Sequence, residues 1–197
     1  SIFQLNMKIY DCFMFFDEEM ILDLRLNVMD KYVDKFVITE ATYLHSGKPK
    51  KLVFDINKFS KFKDKIIYNI IDDLPKNIET VYDHDSKDLR ADKLINNSIK
   101  RENYQREVAQ KSLIDLEADD IILVNDIDEI PDLKKLNFNY INKKIIVFKQ
   151  KVFSYKFNLL YKGMCWYGTR ACRKKDFISP QWLRNTKHKK YPFWRLD

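Results

Sequence analysis

At 197 residues, with 45% hydrophobic and 33% charged residues, the chain has the length and composition of one soluble domain with a full core. Only three glycines occur, Gly47, Gly163 and Gly168, which excludes the glycine-rich dinucleotide fingerprint, the Walker A loop and the G-x-S-x-G elbow. The net charge of +7 is unevenly placed: from Lys143 onward there are fifteen Lys or Arg against two acids, Asp176 and Asp197.

Met7–Phe16 is an apolar run broken by Asp11 and predicts the first strand. Asp17, Glu18 and Glu19 supply a cap and an acidic first turn for a helix to about Met29, with Met20, Ile21, Leu24 and Val28 at helical spacing. Lys35–Ala41 predicts a second strand ending at Glu40. A loop with His45, Ser46, Gly47 and Pro49 follows it. Ile56–Phe62 suits a short helix, and Lys65–Ile71 a third strand stopped by Asp72, Asp73 and Pro75. Thr80–Lys87 is a polar loop. Asp88–Glu117 predicts one long helix or two joined ones, with Leu94, Ile95, Val108, Leu113 and Leu116 among its apolar positions. Ile121–Val124 is a buried strand, and Lys143–Phe157 one long strand or a hairpin. Beyond lies an irregular aromatic segment with Trp166, Tyr167, Trp182, Tyr191, Phe193 and Trp194. Strands alternating with helices imply a parallel α/β sheet in a single domain over 1–197.

Three cysteines, Cys12, Cys165 and Cys172, are too few and too odd for a disulfide framework, so free thiols and a reducing compartment are expected. No C-x-x-C supports a structural zinc. No apolar stretch approaches the ~20 residues that span a bilayer, and no secretory signal opens the chain. Met7 reads as a natural start, with Ser1–Asn6 a leader or part of a longer chain.

Residues 119–132, DDIILVNDIDEIPD, are the most informative stretch. Four apolar residues run into Asn125, Asp126, Ile127, Asp128 and Glu129, so the acids stand where a strand ends. Ligands of open α/β sheets bind just beyond the carboxyl ends of strands. Asp126 and Asp128 are two apart and leave an extended segment on the same side. Two such oxygen ligands suit a Mg²⁺ or Mn²⁺ that keeps positions for water and substrate phosphates. A charged turn after a strand is the plain alternative. Eight acids with no Lys or Arg between Asp115 and Asp132 favour the metal. An α/β sheet without a phosphate-binding glycine loop, but with D-x-D at a strand end, describes a nucleotide-sugar glycosyltransferase.

The segment Arg101–Pro131 (RENYQREVAQKSLIDLEADDIILVNDIDEIP) resembles glycosyltransferase family 17, which contains the β-1,4-mannosyl-glycoprotein β-1,4-N-acetylglucosaminyltransferases. Met7–Phe16 (MKIYDCFMFF), Asp34–Ala41 (DKFVITEA) and His45–Pro49 (HSGKP) match that family's pattern in order. The resemblance implies a GT-A fold, UDP-N-acetylglucosamine as donor, Mn²⁺ or Mg²⁺, and inversion at the anomeric carbon. It divides the chain into a nucleotide-sugar half, 1–130, and an aromatic, basic acceptor half, 131–197. The family's Trp-His-Ser block and the anchor of its Golgi members have no counterpart here. A shortened acceptor half, and a cytosolic glycan substrate of microbial or viral type, are therefore expected; a Golgi lumen location would require a removed anchor.

Candidate roles follow. Asp126 and Asp128 anchor the metal, supported by Glu129, and Asp126 also meets the donor. Glu40 accepts from the uracil or ribose, or else caps a strand. His45 touches donor or acceptor, or else holds its loop. Arg101 and Gln105 share a helical face, and Arg101 or Arg106 reaches the diphosphate, or else pairs with Glu102 or Glu107. Trp166, Trp182 and Trp194 stack on sugars or fill core. The acids past Asp132 are Asp176 and Asp197, and the histidine is His188, which makes Asp176 the candidate base. Its basic neighbours Arg173, Lys174 and Lys175 offer a structural salt bridge instead. Other readings of the same acids and basic tail are a metal-dependent nuclease or phosphotransferase, or a non-catalytic glycan- or nucleic-acid-binding module.

Overall fold

The computed structural model of the protein describes residues 7–134, 136–154 and 158–187. The apolar runs become β1 (Ile9–Met14), β2 (Lys35–Ala41), β3 (Ile66–Ile71) and β4 (Ile121–Asn125), which pair in parallel. Their β-branched and aromatic residues suit strands covered on both faces. Helices α1 (Glu19–Met29) and α2 (Lys87–Glu107) lie in the connections, as crossovers between parallel strands require. After β4 come β5 (Ile145–Val147), β6 (Gln150–Ser154), β7 (Leu159–Trp166), β8 (Arg170–Arg173) and the short helix α3 (Pro180–Arg184). The six-stranded sheet has the order β3-β2-β1-β4-β8-β5, while β6 and β7 form a separate ribbon. β8 runs antiparallel to both neighbours. The chain thus has the expected mixed α/β class, with a mostly parallel sheet flanked by helices. Segment 131–197 supplies β5 and β8 to the same sheet as 1–130. Among the described residues, no helix is long and apolar enough to cross a membrane.

Several element boundaries differ from expectation. Ile56–Lys65 is 3-10 helix, α2 passes into a 3-10 segment at Val108–Leu113, and 143–154 splits into β5 and β6, which belong to different sheets. Ser86 caps α2 by accepting from Leu89 N, which marks where the polar loop ends.

Alternation along the strands builds a core on each face. On the α1 face, Phe13, Phe36, Ile38, Ile121 and Leu123 pack with Leu22, Leu26, Met29, Phe59 and Phe62. On the other, Tyr10, Cys12, Val37, Ile122 and Val124 pack with Ala109, Leu113, Leu116 and Leu183. Cys12, Cys165 and Cys172 are all free. Burial pushes the Cys12 thiol well above its ordinary range, and burial with the Asp176 charge pushes Cys172 up to about 12. Both buried thiols are therefore unreactive.

Both long helices bury different faces from those the sequence suggests. On α1 the stripe Met20, Leu24 and Val28 is exposed, and Leu22, Arg25, Leu26 and Met29 point inward. The reason is electrostatic. Asp11 leaves β1 on the α1 face and is fully buried, and a buried carboxylate needs a partner. Arg25 supplies it with two parallel bonds, Nε to Oδ2 at 2.8 Å and Nη2 to Oδ1 at 2.7 Å. On α2, Leu94 and Ile95 are exposed, and the buried positions are Asn97, Arg101, Gln105 and Arg106. This helix presents a polar stripe that holds loops, and the 3-10 segment after it supplies the apolar cover.

Removing one partner of the buried pair leaves an uncompensated charge in the core. Asp11→Ala is expected to lower the unfolding free energy by ~3–5 kcal/mol in urea titrations. A loss under about 1 kcal/mol, the scale of an ordinary substitution, contradicts this role.

Candidate active site

The sheet order reverses direction at β1, which has β2 on one side and β4 on the other. This switch point is where open α/β sheets bind ligands. A cleft of about 710 Å³ opens there, in the size range of small-molecule sites. Met14, Phe15, Phe16 and Ile21 form an apolar wall, His45, Lys50, Glu102 and Gln105 a polar rim, and Asp126 and Asp128 the acidic end. The D-x-D therefore stands at the strand end and on the cleft, where the sequence puts it.

The acidic turn is held by its backbone. Arg25 Nη1 donates to the carbonyls of Asp126 (3.4 Å), Ile127 (3.1 Å) and Glu129 (2.8 Å). Asn125 Nδ2 donates to Asp11 Oδ1 at 2.6 Å, and Glu129 Oε2 accepts from Asp126 N at 2.9 Å. Crowding by protein atoms, then the charges of Glu129 and Asp126, raise the Asp128 carboxyl above the ordinary aspartate range.

Around this turn the three acids play different parts. Asp128 is exposed to the cleft. Both oxygens of Asp126 are taken: Arg106 Nη2 donates to Oδ1 at 3.2 Å and Arg184 Nη2 to Oδ2 at 2.6 Å. Glu129 is 5% exposed and does not line the cleft. It accepts from Arg184 Nη1 (2.7 Å) and Nη2 (2.9 Å) and from Trp166 Nε1 (2.6 Å). In this structure Glu129 braces an arginine and an indole.

Other candidates turn out to be fasteners. Glu40 is fully buried and accepts from Lys50 Nζ, Val53 N (2.8 Å), Phe54 N (3.1 Å) and the Tyr68 hydroxyl (2.7 Å). With four partners it has no face left for a uracil; it shapes the wall beside the cleft instead. Arg101 Nη1 donates to the His45 carbonyl at 3.0 Å and so ties down the loop rather than facing a diphosphate. Gly47 in that loop has φ +90°, and a Cβ there would strike the Arg101 guanidinium, so the H-S-G-K turn requires glycine. Gln105 donates to Thr39 O (3.2 Å) and pairs through Oε1 with His45 Nε2 (3.1 Å), which sets His45 at the cleft edge. Arg106 also binds Glu102 Oε1 (2.9 Å) and Gln181 Oε1 (2.5 Å).

Asp176 is not brought to the cleft. Arg173 pairs with Ile121, and the following Lys174 N and Lys175 N bond to the carbonyls of Asp120 and Ala118. Asp176 therefore lies at the start of β4, and Asp126 lies past its end. Five strand residues separate the two ends, roughly 17 Å at 3.3 Å per residue. This excludes Asp176 as a base for chemistry at the D-x-D; its contact is Lys144 Nζ at 4.0 Å. His188, Trp194 and Asp197 lie outside the described residues. Trp182 packs on core, and Trp166 is half-exposed and donates to Glu129 without lining the cleft.

The profile of Glycosyltransferase family 17 matches residues 1–177. The chain belongs to glycosyltransferase family 17. No curated protein and no solved structure matches it significantly. The matched span contains the cleft, Asp11, Arg25 and the whole acidic turn, and stops short of α3.

Four features of this family 17 site escaped the sequence reading: Asp11, Arg25, Arg184 and Gly168. The first two carried a signal, an acid interrupting an apolar strand and a cation on the stripe Leu22, Leu26, Met29. Nothing distinguished Arg184 among the basic residues of the last third. Gly168 sits where a Cβ would collide with the Glu129 carboxylate and the Trp166 indole. Gly168→Ala is expected to part these two groups at a cost of ~1–3 kcal/mol, the scale of overpacking. Denaturation with the Trp166 indole N–H proton resonance checks it: an unshifted resonance at full stability contradicts the contact.

Proposed function

We propose that the chain is a metal-dependent, inverting glycosyltransferase of GT-A type. Its donor is UDP-N-acetylglucosamine, and its acceptor a glycan hydroxyl. The observation that carries this reading is the pair Asp126 and Asp128 opening into one cleft at the sheet's switch point in a family 17 chain.

The residues present fit a Mn²⁺ or Mg²⁺ that arrives with its substrate. Among the described residues, no three His, Cys, Asp or Glu side chains converge as a ready cage. Magnesium-type sites need no such cage, because one or two carboxylates serve and phosphates and water fill the rest. Asp128, exposed on the cleft, and Asp126 beside it would hold the ion. The ion supplies Lewis-acid stabilisation of the departing nucleoside diphosphate. The chain's own part is to fix geometry. Arg25 holds the turn carbonyls, Gln105 orients His45, and Phe15, Phe16 and Ile21 give the cleft an apolar wall. With Asp176 removed, the proton acceptors that line the cleft apart from the D-x-D are Glu18, Glu102 and His45. Glu102 is held by Arg106, and Glu18 accepts from Phe16 N and Asp17 N.

Asp128→Asn removes ligand charge but almost no volume. It is expected to keep the wild-type unfolding midpoint and to lose at least about 100-fold in turnover, the scale of a lost electrostatic stabiliser. Calorimetry should show UDP binding strengthened by Mn²⁺ in wild type and not in the variant. Equal UDP affinity with Mn²⁺ and with chelator in wild type would remove the metal from the reading. Among donors, UDP-N-acetylglucosamine should be turned over fastest; turnover of a GDP-sugar alone would overturn the donor assignment.

A further inference from the structure

Arg184 ends α3 with a side chain 13% exposed, and it lies beyond the span matched by the family profile. Its Nη1 donates to Glu129 Oε2 (2.7 Å) and Gly168 O (2.7 Å), and its Nη2 to Glu129 Oε1 (2.9 Å) and Asp126 Oδ2 (2.6 Å). Three of these bonds go to groups that do not line the cleft. The fourth goes to a carboxylate on the cleft that already has Arg106 on its other oxygen.

The helix is built to deliver this side chain. Ser179 caps it, accepting from Trp182 N, with Pro180 in the first turn. Glu107, at the end of α2, accepts from Ser179 Oγ (2.6 Å) and Gln181 N (2.7 Å), and Arg106 holds the Gln181 side chain. Leu183 is fully buried. α3 is therefore clamped to the same helix end that carries Arg106, and the two guanidinium groups flank Asp126 from either side.

We propose that Arg184 is a donor-binding residue, held by Glu129 and Gly168, that shields Asp126 in the donor-free protein and passes its Nη2 hydrogen bond to a diphosphate oxygen when donor binds. The proposal rests on the nucleotide-sugar reading above. Asp126 cannot serve a divalent cation fully while a guanidinium sits on each oxygen, because like charges in a half-buried site repel strongly. Releasing one Nη2 bond from Asp126 opens that oxygen. The other three bonds keep the guanidinium beside Asp126, where the incoming phosphate charge replaces the carboxylate it gave up. A planar guanidinium fits phosphate oxygens well, and its prior fixation lowers the ordering cost of binding. Arg106 stays where it is, fixed by Glu102 and Gln181. The shield also explains how Asp126, Asp128 and Glu129 coexist at one turn without a bound cation: two arginines offset the charge.

This exchange predicts two effects of opposite sign. In Arg184→Ala, binding of Mn²⁺ alone, titrated without nucleotide, should tighten about tenfold, because the competitor for Asp126 is gone. UDP binding at saturating Mn²⁺ should weaken about tenfold or more, the scale of one charge-assisted hydrogen bond. Arg184→Gln, which keeps part of the hydrogen bonding and can still pack in α3, should move both affinities the same two ways by smaller factors. It decides the matter if the alanine variant does not fold. A purely structural Arg184 would weaken both affinities together, or leave both unchanged, and either result overturns the proposal. If wild type binds neither Mn²⁺ nor UDP, the nucleotide-sugar reading itself falls and Arg184 falls with it. If wild type binds both and the opposite signs are absent, only the role of Arg184 is lost.

Discussion

The buried pair of Asp11 and Arg25 is the contact on which the rest of the site depends. Both side chains are fully enclosed, one from the middle of β1 and one from α1. Taking two charges out of water costs several kcal/mol per ion, so such a pair is poor evidence of stability by itself. Its geometry shows what it accomplishes. Nε and Nη2 of the guanidinium are used on Asp11, and Nη1 reaches the turn carbonyls of Asp126, Ile127 and Glu129. Asn125 closes the network by donating to the same carboxylate. A strand, a helix and the acidic turn are thus joined through one planar group, which also lies over the Phe13 ring at 4.8 Å.

That arrangement has an electrostatic consequence. With the carbonyls capped from behind, Asp126, Asp128 and Glu129 stand close together on one short segment, so like charges gather there. Asp128 shows it in part: burial first, and then the Glu129 and Asp126 charges, raise its carboxyl above the ordinary aspartate range. Asp126 and Glu129 are relieved by Arg184, and Asp126 by Arg106 as well. The site is therefore an acidic turn inside a basic collar. Such a turn suits a ligand that brings both signs of charge, as a cation-bound diphosphate does. The collar consists of two arginines, Arg106 on α2 and Arg184 on α3.

Much of this was legible in the sequence, because the strong signals are local. The β4 run and its trailing acids specify a strand end, and strand–helix alternation specifies a parallel sheet. The four motif blocks, read in order, pointed to the family that the profile match shows. Features that depend on pairing across the chain were not legible. The inward face of α1 was misread because two apolar stripes compete there, and only the partner of Asp11 decides between them. Glu40 reads as an available carboxylate until Lys50, Val53, Phe54 and Tyr68 are seen closing on it. Asp176 looked like the remaining base because sequence distance does not reveal that β8 runs antiparallel, which carries it away from the cleft. Arg184 is one of many basic residues until α3 is placed against Glu107.

The most direct measurement is a crystal structure of the protein grown with Mn²⁺ and UDP, with the metal located by its anomalous scattering. The account predicts one strong anomalous peak in the cleft, at ordinary metal–oxygen bonding distance, roughly 2.0–2.2 Å, from the carboxylates of Asp128 and Asp126 and from the diphosphate. The Arg25 bonds to the turn carbonyls should be unchanged. A peak elsewhere, or UDP seated without a metal beside Asp128, would contradict it.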